Sequence, residues 1–127
     1  NPFFLQPKEE KSLLWNRYAV RSASYKKVNE KMLQTPHGKN KFRTVFVDFD
    51  DSPRRGIRAV ITKGSTPGRF GKYLRKAIQK SKKEGNFYLF INDWNEWGEG
   101  NYLEPDTRHG YSYLRQIKRI LQEEDCD

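Results

Sequence analysis

Two short apolar runs, Thr44 to Phe49 and Phe87 to Ile91, flank one long amphipathic stretch, and each run ends in a cluster of acids. This arrangement restricts the fold more than any other feature of the chain. Runs of five or six residues rich in Val, Phe and Ile read as strands, and Phe87 to Ile91 reads as a buried one. Between them, Thr66 is a good N-cap and Pro67 fits the first helical position. Phe70, Tyr73, Leu74, Ala77 and Ile78 form the stripe of a helix packed on one side, and Gly85 is a natural stop. Two strands joined through a helix of that length predict a parallel, right-handed crossover. Both strand ends then open on the same rim. Asp48, Asp50 and Asp51 come from one end, and Asp93, Glu96 and Glu99 from the other.

Elements outside this unit are less sharply written. Residues 1 to 22 form a lead-in without a clear period, in which Trp15 to Val20 reads as a short strand. Ser24 is placed to cap a helix to about Gln34, with Val28, Met32 and Leu33 on one side. Thr35 to Asn40 reads as a turn, Asp50 to Gly56 as a polar loop, and Ile57 to Thr62 as a short extended piece. Alternation puts Phe46, Asp48 and Asp50 on one face of the first strand and Val45, Val47 and Phe49 on the other. A last helix spans Gly110 to Glu123, with Tyr111, Leu114, Ile117 and Leu121 inward. The expected order is helix, strand, helix, strand, helix. Two strands make a poor sheet alone, and both runs want cover on both faces. The chain therefore reads as α/β, a single partial domain over 1–127. It looks like the C-terminal part of a (β/α)8 barrel, a fold of about 250 residues.

Composition narrows the partners. The chain of 127 residues carries a net charge of +9 and one cysteine, Cys126. Much of the positive charge lies on the outer face of the central helix, in Lys72, Arg75, Lys76, Lys80, Lys82 and Lys83, where it reads as a solvated surface. One cysteine allows no disulfide within the chain, which fits a reducing, cytoplasmic compartment. No apolar segment is long enough to span a membrane. No recognition-helix or stacking-sheet pattern favours nucleic acid. The chain begins at Asn1 and reads as a fragment.

The chemistry concentrates in Trp94-Asn95-Glu96-Trp97-Gly98-Glu99-Gly100. Two carboxylates beside flat aromatic faces are what glycosidic bond chemistry requires: one protonates the departing oxygen, and the other acts as nucleophile or base. Glu96 and Glu99 are the candidate catalytic pair. On an extended strand they point to opposite faces, whereas a folded loop brings them together. Their repulsion and the neighbouring indoles are expected to hold one as an acid near neutral pH. Trp94 and Trp97 are expected to shape a sugar pocket. Asn95, Asn101, Glu104, Asp48, Asp50 and Arg54 are candidate substrate contacts. Arg54 and Arg55 also suit a phosphate or the nearby aspartates. Asp48-Phe49-Asp50 echoes the metal motif of nucleotide-sugar transferases, but hydrogen bonding to sugar hydroxyls or Arg54 is the reading preferred here. His37 and His109 lack a zinc pattern, and Gly64 to Gly68 is a capped turn. No metal or cofactor is expected.

Phe90 to Asp106, followed by Gly110 to Leu114, resembles the WbsX-like, or glycoside hydrolase family 99-like, proteins of bacterial polysaccharide biosynthesis. Val47 to Gly56 and Lys63 to Phe70 also match. The resemblance covers about Tyr25 to Leu121. It implies a (β/α)8 barrel whose earlier strands lie outside this chain, so the remainder of that barrel becomes a partner. It also implies a glycosyltransferase or glycoside hydrolase of surface polysaccharide or lipopolysaccharide metabolism, acting on a glycan or a sugar donor. In the related endo-α-mannosidases the two glutamates are the catalytic pair. Carried over, Glu96 assists the sugar 2-hydroxyl and Glu99 is the acid/base. Gly98 replaces a larger residue of those hydrolases, and Asp51-Ser52 replaces Asn-Thr before Pro53. The rival reading is a non-catalytic basic module that binds an anionic glycan or nucleic acid.

Overall fold

A computed structural model describes residues 20–38 and 40–125. The strand expected over 15–20 lies outside these residues, apart from Val20. The described chain is a mixed α/β unit built from β1 (Arg21–Ser24), α1 (Tyr25–Gln34), β2 (Arg43–Phe46), the one-turn helix α2 (Ser52–Arg55) and β3 (Val60–Lys63). The long helix α3 (Pro67–Lys83), β4 (Leu89–Asn92), β5 (Asn95–Glu96), β6 (Asn101–Tyr102) and α4 (Ser112–Glu124) follow. Short 3₁₀ turns occupy Gly56–Arg58 and Trp97–Glu99.

Helix α3 forms where its signals predict. The Thr66 side chain accepts a hydrogen bond from the Arg69 N–H, and Pro67 occupies the first turn. Gly85 follows with φ +71°, a conformation that favours glycine. Helix α1 begins at its Ser24 cap, which accepts from Lys27 N.

Strands β2 and β4 pair in parallel, with Phe46 opposite Asn92. Their C-terminal ends therefore open on one side, as the crossover requires. A second parallel pair, β1 with β3, was not legible in the sequence. Its N-terminal strand is Arg21-Ser22-Ala23-Ser24, which has no apolar alternation to betray it. The sheet pieces are two-stranded, and among the described residues they do not close on one another.

The core lies on both sides of β2. Val45 and Val47 pack with Phe70, Leu74 and Ala77 of α3, with Tyr113 and Ile120 of α4, and with Leu103. Phe46 and Phe49 pack instead with Tyr25 and Tyr73. Phe49 was expected beside the valines. The strand ends at Phe46, so the period of two no longer governs Phe49.

Two further expectations are corrected. The second strand starts at Leu89, and Phe87, Tyr88 and Phe90 are exposed. Phe42 packs edge-on against Tyr88 and Phe90, so these rings cover one another. An apolar run is buried only where something lies over it, and here no described element does. In α4 the buried residues are Tyr113 and Ile120, whereas Tyr111 and Leu121 are exposed. Leu114 and Ile117 pack against the core as expected, whereas Tyr111 precedes the first helical residue and lies off that face.

Candidate active site

The site is assembled where the chain leaves β2 and β4. After β2, Phe49 N donates to Asp48 Oδ1 at 2.9 Å, and Thr62 Oγ1 donates to the same oxygen at 2.7 Å. Burial pushes the Asp48 carboxyl above the usual aspartate range, against the lowering effect of these two bonds. Asp50 is exposed; its Oδ1 accepts from Ser52 N at 2.8 Å. Asp51 is buried, accepts from Val60 N at 2.6 Å and pairs with Arg55 at 3.0 Å. Asp51 thereby fixes the α2 turn, a role the sequence did not reveal. The expected pairing of Arg54 and Arg55 with Asp48 or Asp50 is corrected: Arg55 pairs with Asp51, and Arg54 turns to Glu96 and Glu99.

After β4 the Asn92–Asp93 peptide is cis. β5 and β6 then form a small antiparallel hairpin, with Asn95 opposite Tyr102 and Glu96 opposite Asn101. The 3₁₀ turn Trp97–Glu99 sits between them, and Gly100 closes it with φ +59°. Glu96 ends β5 and Glu99 ends the turn that follows it, so the chain reverses between them and both come to one side rather than to opposite faces of an extended strand.

Arg54 confirms that shared side. Its Nη2 donates to Glu96 Oε1 at 2.8 Å, and its Nη1 donates to Glu99 Oε1 at 3.0 Å. One guanidinium thus spans both carboxylates and offsets the repulsion between them. The two loops also meet through the backbone, where Asp50 N donates to Glu99 O at 2.6 Å. Both side chains are partly open to solvent, at 39% for Glu96 and 28% for Glu99.

The aromatic residues divide. Trp97 stacks on Tyr102, with ring centroids 3.6 Å apart and planes 14° from parallel, and its Nε1 donates to Glu104 Oε2 at 2.6 Å. One face of the indole and the Glu104 carboxylate are therefore engaged within the protein. Trp94 is exposed, and its carbonyl accepts from Leu103 N and Glu104 N. Asn95 is exposed on the hairpin.

Asn101 is fully buried. Its Oδ1 accepts from Val47 N at 3.2 Å, and with the Asn92 amide nitrogen turned toward Asp93, Asn101 Nδ2 donates to Asn92 at 3.0 Å. It braces the hairpin against both parallel strands and offers no surface to a sugar. Beside it, burial pushes the Tyr102 phenol up to about 12, reinforced by its hydrogen bond to Asp106. The His109 ring packs edge-on against Tyr113, and the His109 backbone N–H donates to the Asp106 carboxylate. Ser65 Oγ, within the capped turn, donates to the Val47 carbonyl and lies 3.1 Å from the Tyr113 hydroxyl. Among the described residues, no group of three or more His, Cys, Asp or Glu is arranged to hold a metal ion. No described helix is long and apolar enough to cross a membrane.

The family model for glycosyltransferase WbsX matches residues 4–117. Two curated relatives, both named uncharacterized protein WxcX and coming from two strains of Xanthomonas campestris pv. campestris, are 36% identical over 76 residues. Each match takes in 58% of this chain and 11% of the relative, so the chain spans about a tenth of the length of the proteins it resembles. No solved structure matches it.

Proposed function

The chain belongs to the WbsX glycosyltransferase family, and we propose that it carries the acid–base machinery of an enzyme acting on glycosidic bonds in surface polysaccharide or lipopolysaccharide metabolism. Glu99 gives a proton to the departing glycosidic oxygen, and Glu96 accepts a hydrogen bond from the sugar 2-hydroxyl and assists it at the reacting carbon. The observation that carries this reading is the single guanidinium of Arg54 reaching one oxygen of each glutamate. It means that two carboxylates from one loop face one place, which this chemistry requires.

The surroundings suit a sugar. Trp94 and the outer face of Trp97 are half exposed beside the pair and give flat surfaces for a pyranose ring. Asp48, Asp50 and Asn95 stand on the same rim as hydrogen-bonding groups. In this reading β2 and β4 are neighbouring strands of a (β/α)8 barrel. The exposed Phe42, Phe87, Tyr88 and Phe90 support this reading, since they form an apolar side that neighbouring barrel elements would cover. Catalysis at the C-terminal ends of parallel strands is the rule for that fold. We place the enzyme in the bacterial cytoplasm, with a glycan or sugar donor as its partner and no bound cofactor.

The test uses the full-length protein that contains this chain. Wild type and Glu99→Gln are incubated with a panel of α-linked glycans and sugar nucleotides, and products are followed by mass spectrometry. Product from wild type and none from the variant is the expected result. Consumption of a sugar nucleotide identifies transfer, and release of sugar from a glycan alone identifies hydrolysis. A folded wild type that leaves the whole panel unchanged contradicts the proposal.

A further inference from the structure

Arg54 was expected to touch substrate, but its geometry suits a different task. It lies on the α2 turn, whose first backbone bonds run from Arg54 N and Arg55 N to the Asp51 carbonyl, both at 3.0 Å. The buried Asp51 side chain holds that turn against β3. The base of Arg54 is thus fixed even though its side chain is 56% exposed.

The guanidinium takes Oε1 of Glu96 and Oε1 of Glu99. Among the described residues, no group donates to Oε2 of either glutamate. Among the described residues each carboxylate is therefore engaged at one oxygen, and that one by the arginine. Gly98 supplies the room. A Cβ at that position would stand 3.2 Å from Arg54 Nη2, 3.4 Å from Nε and 3.5 Å from Glu96 Oε1. A side chain there crowds the guanidinium where it meets the pair. An ion pair this exposed contributes little to folding, so its consequence is one of placement.

We propose that Arg54 is a positioning residue that sets the spacing and facing of Glu96 and Glu99, with Gly98 as the gap through which it reaches them. This rests on the reading of the two glutamates as the working pair. A guanidinium is planar and forked, so it can hold two carboxylates at a set spacing. A lysine ammonium is a point charge on a flexible stem and cannot do so in the same way.

Two measurements on the full-length protein test this, with Arg54→Ala and Arg54→Lys. The first needs no substrate. Carboxylates are labelled with a water-soluble carbodiimide and glycine ethyl ester, then read by peptide mass spectrometry against Glu30 on α1. Labelling of Glu96 and Glu99 is expected to rise several-fold in Arg54→Ala, and unchanged labelling at both overturns the proposal. The second uses whichever glycan or sugar nucleotide the wild type consumes. In both variants kcat is expected to fall about 100-fold, as for a small misplacement of reacting groups, with KM nearly unchanged. Millimolar guanidinium is expected to restore part of the rate to Arg54→Ala. A raised KM with kcat intact makes Arg54 a substrate contact and overturns the proposal, as does a wild-type rate in Arg54→Ala. No product from wild type overturns the reading beneath it instead.

Discussion

One arginine begins β2 and another follows its far end, and each is paired with glutamate to a different purpose. Arg43 opens the strand. Its side chain is 3% exposed, and it grips both oxygens of Glu84 while also donating to the carbonyls of Met32, Leu33 and Thr35. Every group in that knot is engaged, and it ties the C-terminal ends of α1 and α3 to the start of the strand. Arg54 follows the other end, more than half exposed, and shares itself between two glutamates, whose second oxygens meet no donor among the described residues. The same pairing of residue types therefore gives a closed structural joint at one end of β2 and an open reactive one at the other. What separates them is burial and whether the carboxylates are saturated.

The largest effects should divide along that line. Glu99→Gln is expected to reduce product formation by about 10²–10⁴-fold, the usual worth of a general acid, while leaving the thermal midpoint of the full-length protein in place. Arg43→Met should do the reverse. It leaves Glu84 without its partner in a crowded site and is expected to cost about 3 kcal/mol of stability. Denaturant unfolding checks this, and activity per folded molecule should survive. A stable, inactive Arg43→Met would erase the distinction.

Acid sharpens the same contrast. The Arg43 hydrogen bonds hold the Glu84 carboxyl below the usual glutamate range. A lowered carboxyl contributes stability that is fully present above the unfolded-state value of about 4.3 and is lost as pH falls through the lower folded value. Asp48 has the opposite sign. Burial raises its carboxyl, so its charged form costs stability once the pH exceeds the unfolded-state aspartate value. Hydrogen exchange at the amides of 43–46 between pH 5 and pH 2 should therefore show local loosening in wild type. Glu84→Gln should be looser at pH 5 and should change less on acidification. Flat protection in wild type across that range would count against the buried joint.

Much of the frame is legible in the sequence. Helix α3 is written out by its cap, its proline and its apolar stripe, and the parallel pairing of β2 with β4 follows from the length of that crossover. Strand β1 was not legible, because Arg21 to Ser24 earns its place through a backbone ladder to β3 rather than through side chains. The candidate glutamates stood out by residue type and by their tryptophan neighbours. Their meeting on one side depended on a three-residue 3₁₀ turn, which spacing alone left open. Asn101 looked like a polar site residue because its buried setting is made by partners 54 positions away in sequence, at Val47. Arg54 is 42 and 45 positions from the glutamates it joins, so its bridging role belongs to tertiary structure.

The smallest expected effect concerns Gly98. Adding one methyl group in Gly98→Ala presses on the far end of a flexible arginine rather than on backbone, so the side chain can give. The rate should fall only a few-fold, on the order of 1 kcal/mol in the barrier, with stability unchanged. A Gly98→Ala enzyme as slow as Arg54→Ala would mean that the gap matters beyond the arginine.

The central claim is that Glu96 and Glu99 act as one unit, and a double-mutant comparison tests it most directly. Product formation would be measured for Glu96→Gln, Glu99→Gln and the double variant of the full-length protein, with the substrate that wild type consumes. Residues that work together are strongly non-additive when removed, so the double variant should be scarcely slower than the worse single one. Losses that multiply, or a single variant that keeps the wild-type rate, would contradict the account.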